Sequence, residues 1–153
     1  MINIDSLIKQ AMKSKNKTEL EAYKNIKVEI QKNQTAKGAK PLTDESQLQI
    51  ISKYAKSLED AILQFSEAHR DDLVASYTSE LEIVKKLLPE PVTAEDVKSY
   101  FEMWLIENAE KGILESYNSL PKKEMGNAIK YLKSKFPTAD GKMISEIVKE
   151  YLV

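Results

Sequence analysis

The sequence predicts an all-α protein, with an N-terminal helical part built around a long antiparallel helical hairpin and a small C-terminal part of three helices. Three observations predict it. Apolar residues recur at intervals of three and four along almost the whole chain, and no segment alternates with period two over a useful length. Only four glycines and five prolines punctuate 153 residues, a composition foreign to β-sandwiches and to linker-like chains. Pro89-Glu90-Pro91 is the clearest break, because a proline ends the helix before it, and the two parts are read as 1–91 and 92–153.

Taken in order, Ile4, Leu7, Ile8 and Ala11 form one stripe of a short helix that ends near Lys15-Asn16-Lys17. Leu20, Tyr23, Ile26 and Ile30 form the next, which stops before Gly38 and Pro41. Thr43 is a good N-cap, and Asp44 and Glu45 suit the positive end of the helix dipole. The stripe that follows, Leu48, Ile51, Ala55, Leu58, Ile62 and Phe65, has the 3-4-3-4-3 spacing of a coiled-coil seam. It spans too few heptads to demand a partner and reads as core packing within one chain. After the polar Arg70-Asp71-Asp72 comes a second stripe, Leu73, Tyr77, Leu81, Val84 and Leu88, so the pair is a hairpin or one long helix with a break.

Thr93-Ala94-Glu95-Asp96 resembles a capping box with Asp in place of Glu. Val97, Tyr100, Phe101, Trp104 and Leu105 form an aromatic-rich stripe read as core, a base-stacking platform being the lesser reading. Gly112 stops that helix, and 113–120 is a connector. A helix opening near Ser119-Leu120-Pro121 turns Met125, Ala128, Ile129, Leu132 and Phe136 inward and ends at Pro137. Asp140 caps a last helix with Ile144, Ile147, Val148 and Tyr151 inward.

The residue inventory excludes most catalytic chemistry for this chain alone. Cysteine is absent, which removes thiol nucleophiles, disulfides and Cys-based zinc sites. His69 is the single histidine and has no Cys or nucleophile-elbow serine to activate. Glu59-Asp60 and Asp71-Asp72 are sequence neighbours and point to different sides of a helix, so neither forms a converging acid/base pair. No glycine-rich phosphate loop is present. No cofactor and no metal are expected. The start MINIDSLIKQAMKSK lacks an apolar signal region, and no apolar run approaches a membrane span, so a cytoplasmic chain without membrane contact is expected.

Charge is distributed unevenly. Residues 1–42 carry a net +5, 43–121 a net −9, and 122–153 a net +3, within a total of −1. Basic ends gain by displacing counterions from phosphates, which points to a polyanion partner; lysines also simply solubilise helix faces. The acidic middle offers a different use, a surface for another protein.

Several segments together resemble the stand-alone YqeY-like proteins of the GatB/YqeY family, which share a domain with the tail of the B subunit of the glutamine-dependent tRNA amidotransferase. At the start, Ala11-Met12-Lys13-x-Lys15-Asn16-Lys17 with Leu20 matches the family's opening. Ala68-x-Arg70-x-Asp72-Leu73-Val74 matches its middle turn, and Leu88-Pro89-x-Pro91-Val92-Thr93-x-Glu95-Asp96-Val97 its junction. Met125-Gly126, then Ala139-Asp140-Gly141-Lys142 and Ile147-Val148-Lys149, match the C-terminal elements. Three departures stand out: His69 replaces the usual Gly, Tyr23-Lys24 the common Leu-Arg, and Pro137-Thr138 the frequent Gly-Arg. The last removes a bidentate phosphate donor that a lysine does not reproduce.

The resemblance implies an all-helical fold and an association with tRNA-dependent amidation, in which Glu-tRNA or Asp-tRNA is converted to the amide form. This chain resembles only the tail, which contributes tRNA recognition, so the resemblance implies an accessory role beside an amidotransferase or other translation proteins. A carbon–nitrogen ligase activity with glutamine as amido-N-donor attaches to it only by family association.

The residues give a separate reason to place RNA contact in the C-terminal part. At about 100° per residue, Lys122, Lys123, Lys130 and Lys133 fall on an arc beside the apolar one, with Gly126 among them. A glycine there leaves the backbone bare, either for RNA or for a neighbouring helix. Gly141 and Lys142, at the start of the last helix, add N–H donors and one more charge. With no aromatic interleaved, such a surface would read RNA shape and backbone, not sequence. The competing reading is a protein–protein interaction adaptor.

Overall fold

The computed structural model describes residues 1–153 and divides them into two compact units, Met1–Pro89 and Glu90–Val153. Seven α-helices make up the chain, with no strand longer than a single bridged pair.

The N-terminal unit contains α1 (Ile4–Ser14), α2 (Lys17–Thr35), α3 (Asp44–Glu67) and α4 (Asp71–Lys86). The starts of α1, α2 and α3 are each set by a polar side chain that accepts an otherwise orphaned backbone N–H, whereas α4 opens after Arg70 with no side-chain cap. Asn3 accepts from Ser6 N at 3.0 Å and Asn16 from Glu19 N at 3.1 Å. Thr43 and Ser46 exchange bonds as a full capping box. The expected stripes then meet in one core of Ile4, Ile26, Ile51, Ala55, Leu58, Leu81 and Val84. α3 and α4 form the hairpin of the two readings left open: the Phe65 and Tyr77 rings lie 5.2 Å apart near the turn, and Lys85 pairs with Glu59 at 3.2 Å further along.

Two features of this unit follow from long-range contacts. Gln47 is a buried polar side chain on α3, and its amide pairs with the backbone of Ile2: Ile2 N donates to Oε1 at 2.8 Å, and Nε2 donates to Ile2 O at 2.8 Å. That reciprocal pair fastens the chain's first residues to α3. The Glu80 carboxylate accepts from Asn25 Nδ2 at 2.9 Å and from the Tyr54 hydroxyl, which joins α2, α3 and α4. Burial, then the Glu80 carboxylate, push the Tyr54 hydroxyl well above its ordinary range.

The break between α3 and α4 falls at His69, whose φ of 56° is left-handed. A side chain with a Cβ is strained there, and glycine is not. His69→Gly should therefore raise the unfolding free energy by about 0.5–1 kcal/mol, the strain relief being partly offset by a freer unfolded chain. Urea titration followed by helical circular dichroism checks it. A lower midpoint would mean that the imidazole makes a stabilising contact.

The C-terminal unit contains α5 (Ala94–Glu110), a 3-10 turn (Lys122–Glu124), α6 (Met125–Lys135) and α7 (Gly141–Lys149). Thr93 and Asp96 form the capping box, with Asp96 N donating to Thr93 Oγ1 at 3.2 Å and Thr93 N to Asp96 Oδ2 at 3.1 Å. The Thr93 backbone N–H holds the Asp96 carboxyl below its usual range. The core contains Val97, Phe101, Trp104, Leu105, Leu114, Leu120, Leu132, Ile144 and Val148.

Two expectations need correction here. α6 starts at Met125, not near Ser119-Leu120-Pro121, because Leu120 is extended and pairs with the C-terminus. Leu120 N donates to Tyr151 O at 2.7 Å and Val153 N to Leu120 O at 3.2 Å, which removes 120 from any helix. Tyr100 is not core: it is 42% exposed and meets the half-buried Phe136 edge-on at 5.0 Å.

Candidate nucleic-acid interface

α6 presents its apolar residues inward through Ala128 and Leu132, both fully buried. Gly126, Lys130 and Lys133 fall within about 60° of one another on a helical projection, roughly 150° from that buried edge. All three are exposed. No atom lies within 4 Å of where a Cβ on Gly126 would stand, so no neighbouring helix uses this glycine for close approach. The bare backbone of the α6 first turn faces open space.

Lys122 and Lys123 stand just before α6, on the 3-10 turn and not on a continuous α-helical arc. Lys122, Lys123, Lys130 and Lys133 are exposed, and none has a carboxylate within ion-pair distance. Lys133 reaches α7: its Cε and Nζ lie 3.7 and 3.8 Å from the Cβ position of Gly141, the first residue of that helix. The tertiary structure thus brings the end of α6 to the beginning of α7. Lys142 is the least available member, since its ammonium stands 3.9 Å from Glu146. Asp140 accepts from Lys142 N at 2.8 Å as the α7 cap and occupies that N–H itself.

Lys135 belongs elsewhere, 5.8 Å above the Tyr131 ring. Tyr151, at the end of the unit, donates to Glu102 at 3.1 Å; burial, followed by that carboxylate, raises its hydroxyl above the ordinary value. No three His, Cys, Asp or Glu side chains gather as a metal-holding group. The acidic neighbours Glu59-Asp60 and Asp71-Asp72 are exposed, Glu59 pairing with Lys85 and Asp72 with Arg70. No helix is long and apolar enough to cross a membrane.

Fold and patch together define an all-helical protein of two compact units that carries an unpaired lysine face on a helix of its second unit. The chain belongs to the Yqey-like protein family, whose family model matches residues 2–152. Among curated proteins it is similar to "Altered inheritance of mitochondria protein 41, mitochondrial" from Pyrenophora tritici-repentis (strain Pt-1C-BFP), at 38% identity over 79 residues. That match covers 51% of this chain and 42% of the relative, so it spans less than half of the relative's length.

Proposed function

We propose that this chain is a tRNA-binding accessory module for tRNA-dependent amidation and does not catalyse amidation alone. The supporting observation is the set of four unpaired ammonium groups, Lys122, Lys123, Lys130 and Lys133, around an exposed glycine with nothing facing it. Four cations with no carboxylate to answer them are suited to a phosphate backbone, where each displaces a counterion. Gly141 and Lys142 extend the surface along the start of α7. Recognition here is of backbone and shape, because no aromatic side chain shares the outward arc of Gly126, Lys130 and Lys133 on α6, and Phe101 and Trp104 are buried in the core.

An amidotransferase or another protein of translation would supply the chemistry. In that reading the module acts in the cytoplasm, where it meets charged tRNA. Purified chain titrated with total tRNA, with an unrelated DNA duplex as control, tests it. Binding to tRNA is expected at low salt, with weaker binding to the duplex. Equal affinity for both would reduce the patch to a generic cation surface. Pure chain mixed with Glu-tRNA, glutamine and ATP should yield no Gln-tRNA, and turnover would overturn the accessory role.

A further inference from the structure

We propose that the outward face of α5 is a docking surface for a basic amphipathic helix of another protein. On α5 the residues Val97, Phe101, Trp104 and Leu105 turn into the core. At about 100° per residue, Met103 and Ile106 lie on the side away from that core. They are 61% and 48% exposed, and the partly exposed Tyr100 borders them. Helix formation does not call for them: Ile is a poorer helix former than Lys, Glu or Gln, and an exposed face is ordinarily polar.

The surrounding charge specifies the occupant. Glu95 and Glu102 lie on one flank of the Met103–Ile106 pair, Asp96 and Glu107 on the other, and Glu110 at the end. Across 94–110 stand five carboxylates and one lysine: Lys98 is directed to Glu150 at 4.0 Å, and Glu107 is paired with Lys111 just past the helix, which leaves Glu95, Asp96, Glu102 and Glu110 without a cationic partner. An acidic rim around an apolar centre complements a helix with apolar residues at i, i+3 or i+4 between lysines or arginines. The same rim disfavours the two other occupants. A nucleic acid is repelled, and a second copy in a two-fold contact would set one acidic helix against its twin. This face carries the opposite sign from the α6 lysines, and the inference does not rest on the RNA reading.

The test uses the full chain and a fluorescein-labelled synthetic helix with leucines at helical spacing and lysines elsewhere, read by anisotropy. A version with glutamate for lysine is the control. The lysine peptide should bind saturably and the glutamate peptide should not. Met103→Gln/Ile106→Gln should weaken binding at least about tenfold, through loss of apolar burial at the centre, with the thermal transition unchanged. Glu95→Gln/Glu110→Gln should weaken it and flatten its salt dependence. Absence of peptide binding, or binding indifferent to the Met103/Ile106 change, would overturn the proposal. So would a doubled mass in light scattering that the Met103/Ile106 change abolishes, since the face would then belong to a second copy.

Discussion

Charge reversal at Lys130 and Lys133 should abolish most tRNA binding while leaving the fold intact. Each Lys→Glu change removes an attraction and adds a repulsion, each worth about 1 kcal/mol for charges near contact in water. Two such changes predict a loss of about two to three orders of magnitude in affinity at low salt. Salt dependence carries a second signature. Five lysine–phosphate contacts give a log–log slope of about −4, which should fall to about −2 when two contacts are removed. Stability should scarcely change, because both positions are exposed and off the buried edge of α6. A glutamate at 133 would even sit favourably beside the α7 start, where Lys133 now overlies Gly141. Filter binding across a salt series, with a melt for each variant, checks both halves. Gly126→Leu serves as companion: it meets open space and favours the helix by somewhat under 1 kcal/mol. It should fold at least as well as the parent chain and bind poorly. Full affinity in either variant removes α6 as the RNA face.

Phe101→Ala should cost about 3–5 kcal/mol and leave the C-terminal unit barely folded. Phe101 is completely buried, stands edge-on to Tyr151 at 5.0 Å, and stacks against Trp104 at 6.2 Å. Truncation removes two aromatic contacts and opens a cavity that Val97 and Leu105, themselves held by α6 and α7, do not fill by small shifts. The unit of 64 residues, Glu90–Val153, is small enough that about 3–10 kcal/mol is its whole stability. Its transition should fall by about 12–40 °C, at about 4–8 °C per kcal/mol for a domain of this size. Trp104 is the one tryptophan of the chain and lies in this unit, so its fluorescence reports the transition directly. A drop under about 5 °C would mean that the core repacks around the smaller side chain.

The helices were legible because their signals are local. Apolar spacing marked the buried edges of α1 to α7, and Thr43, Thr93 and Asp140 fixed starts through hydrogen bonds that span two or three residues. Gly112, at φ 73°, closed α5 for the same local reason. The positions of Lys130, Lys133 and Gly126 on one side of α6 also followed from periodicity alone. What periodicity does not contain is the partner across space. Leu120 is as good a helix residue as its neighbours, and only its bridge to the C-terminal residues 151–153 excludes it from α6. Gln47 reads as a solvent residue until the Ile2 backbone meets its amide. Tyr100 fits the apolar stripe of α5, yet the core closes on Phe101 and Trp104 and leaves it at the edge. Whether Gly126 faced a helix or solvent was likewise undecidable from spacing. A residue's helical phase is set by bonds to neighbours four positions away, whereas its burial depends on which distant segment comes to lie against that phase.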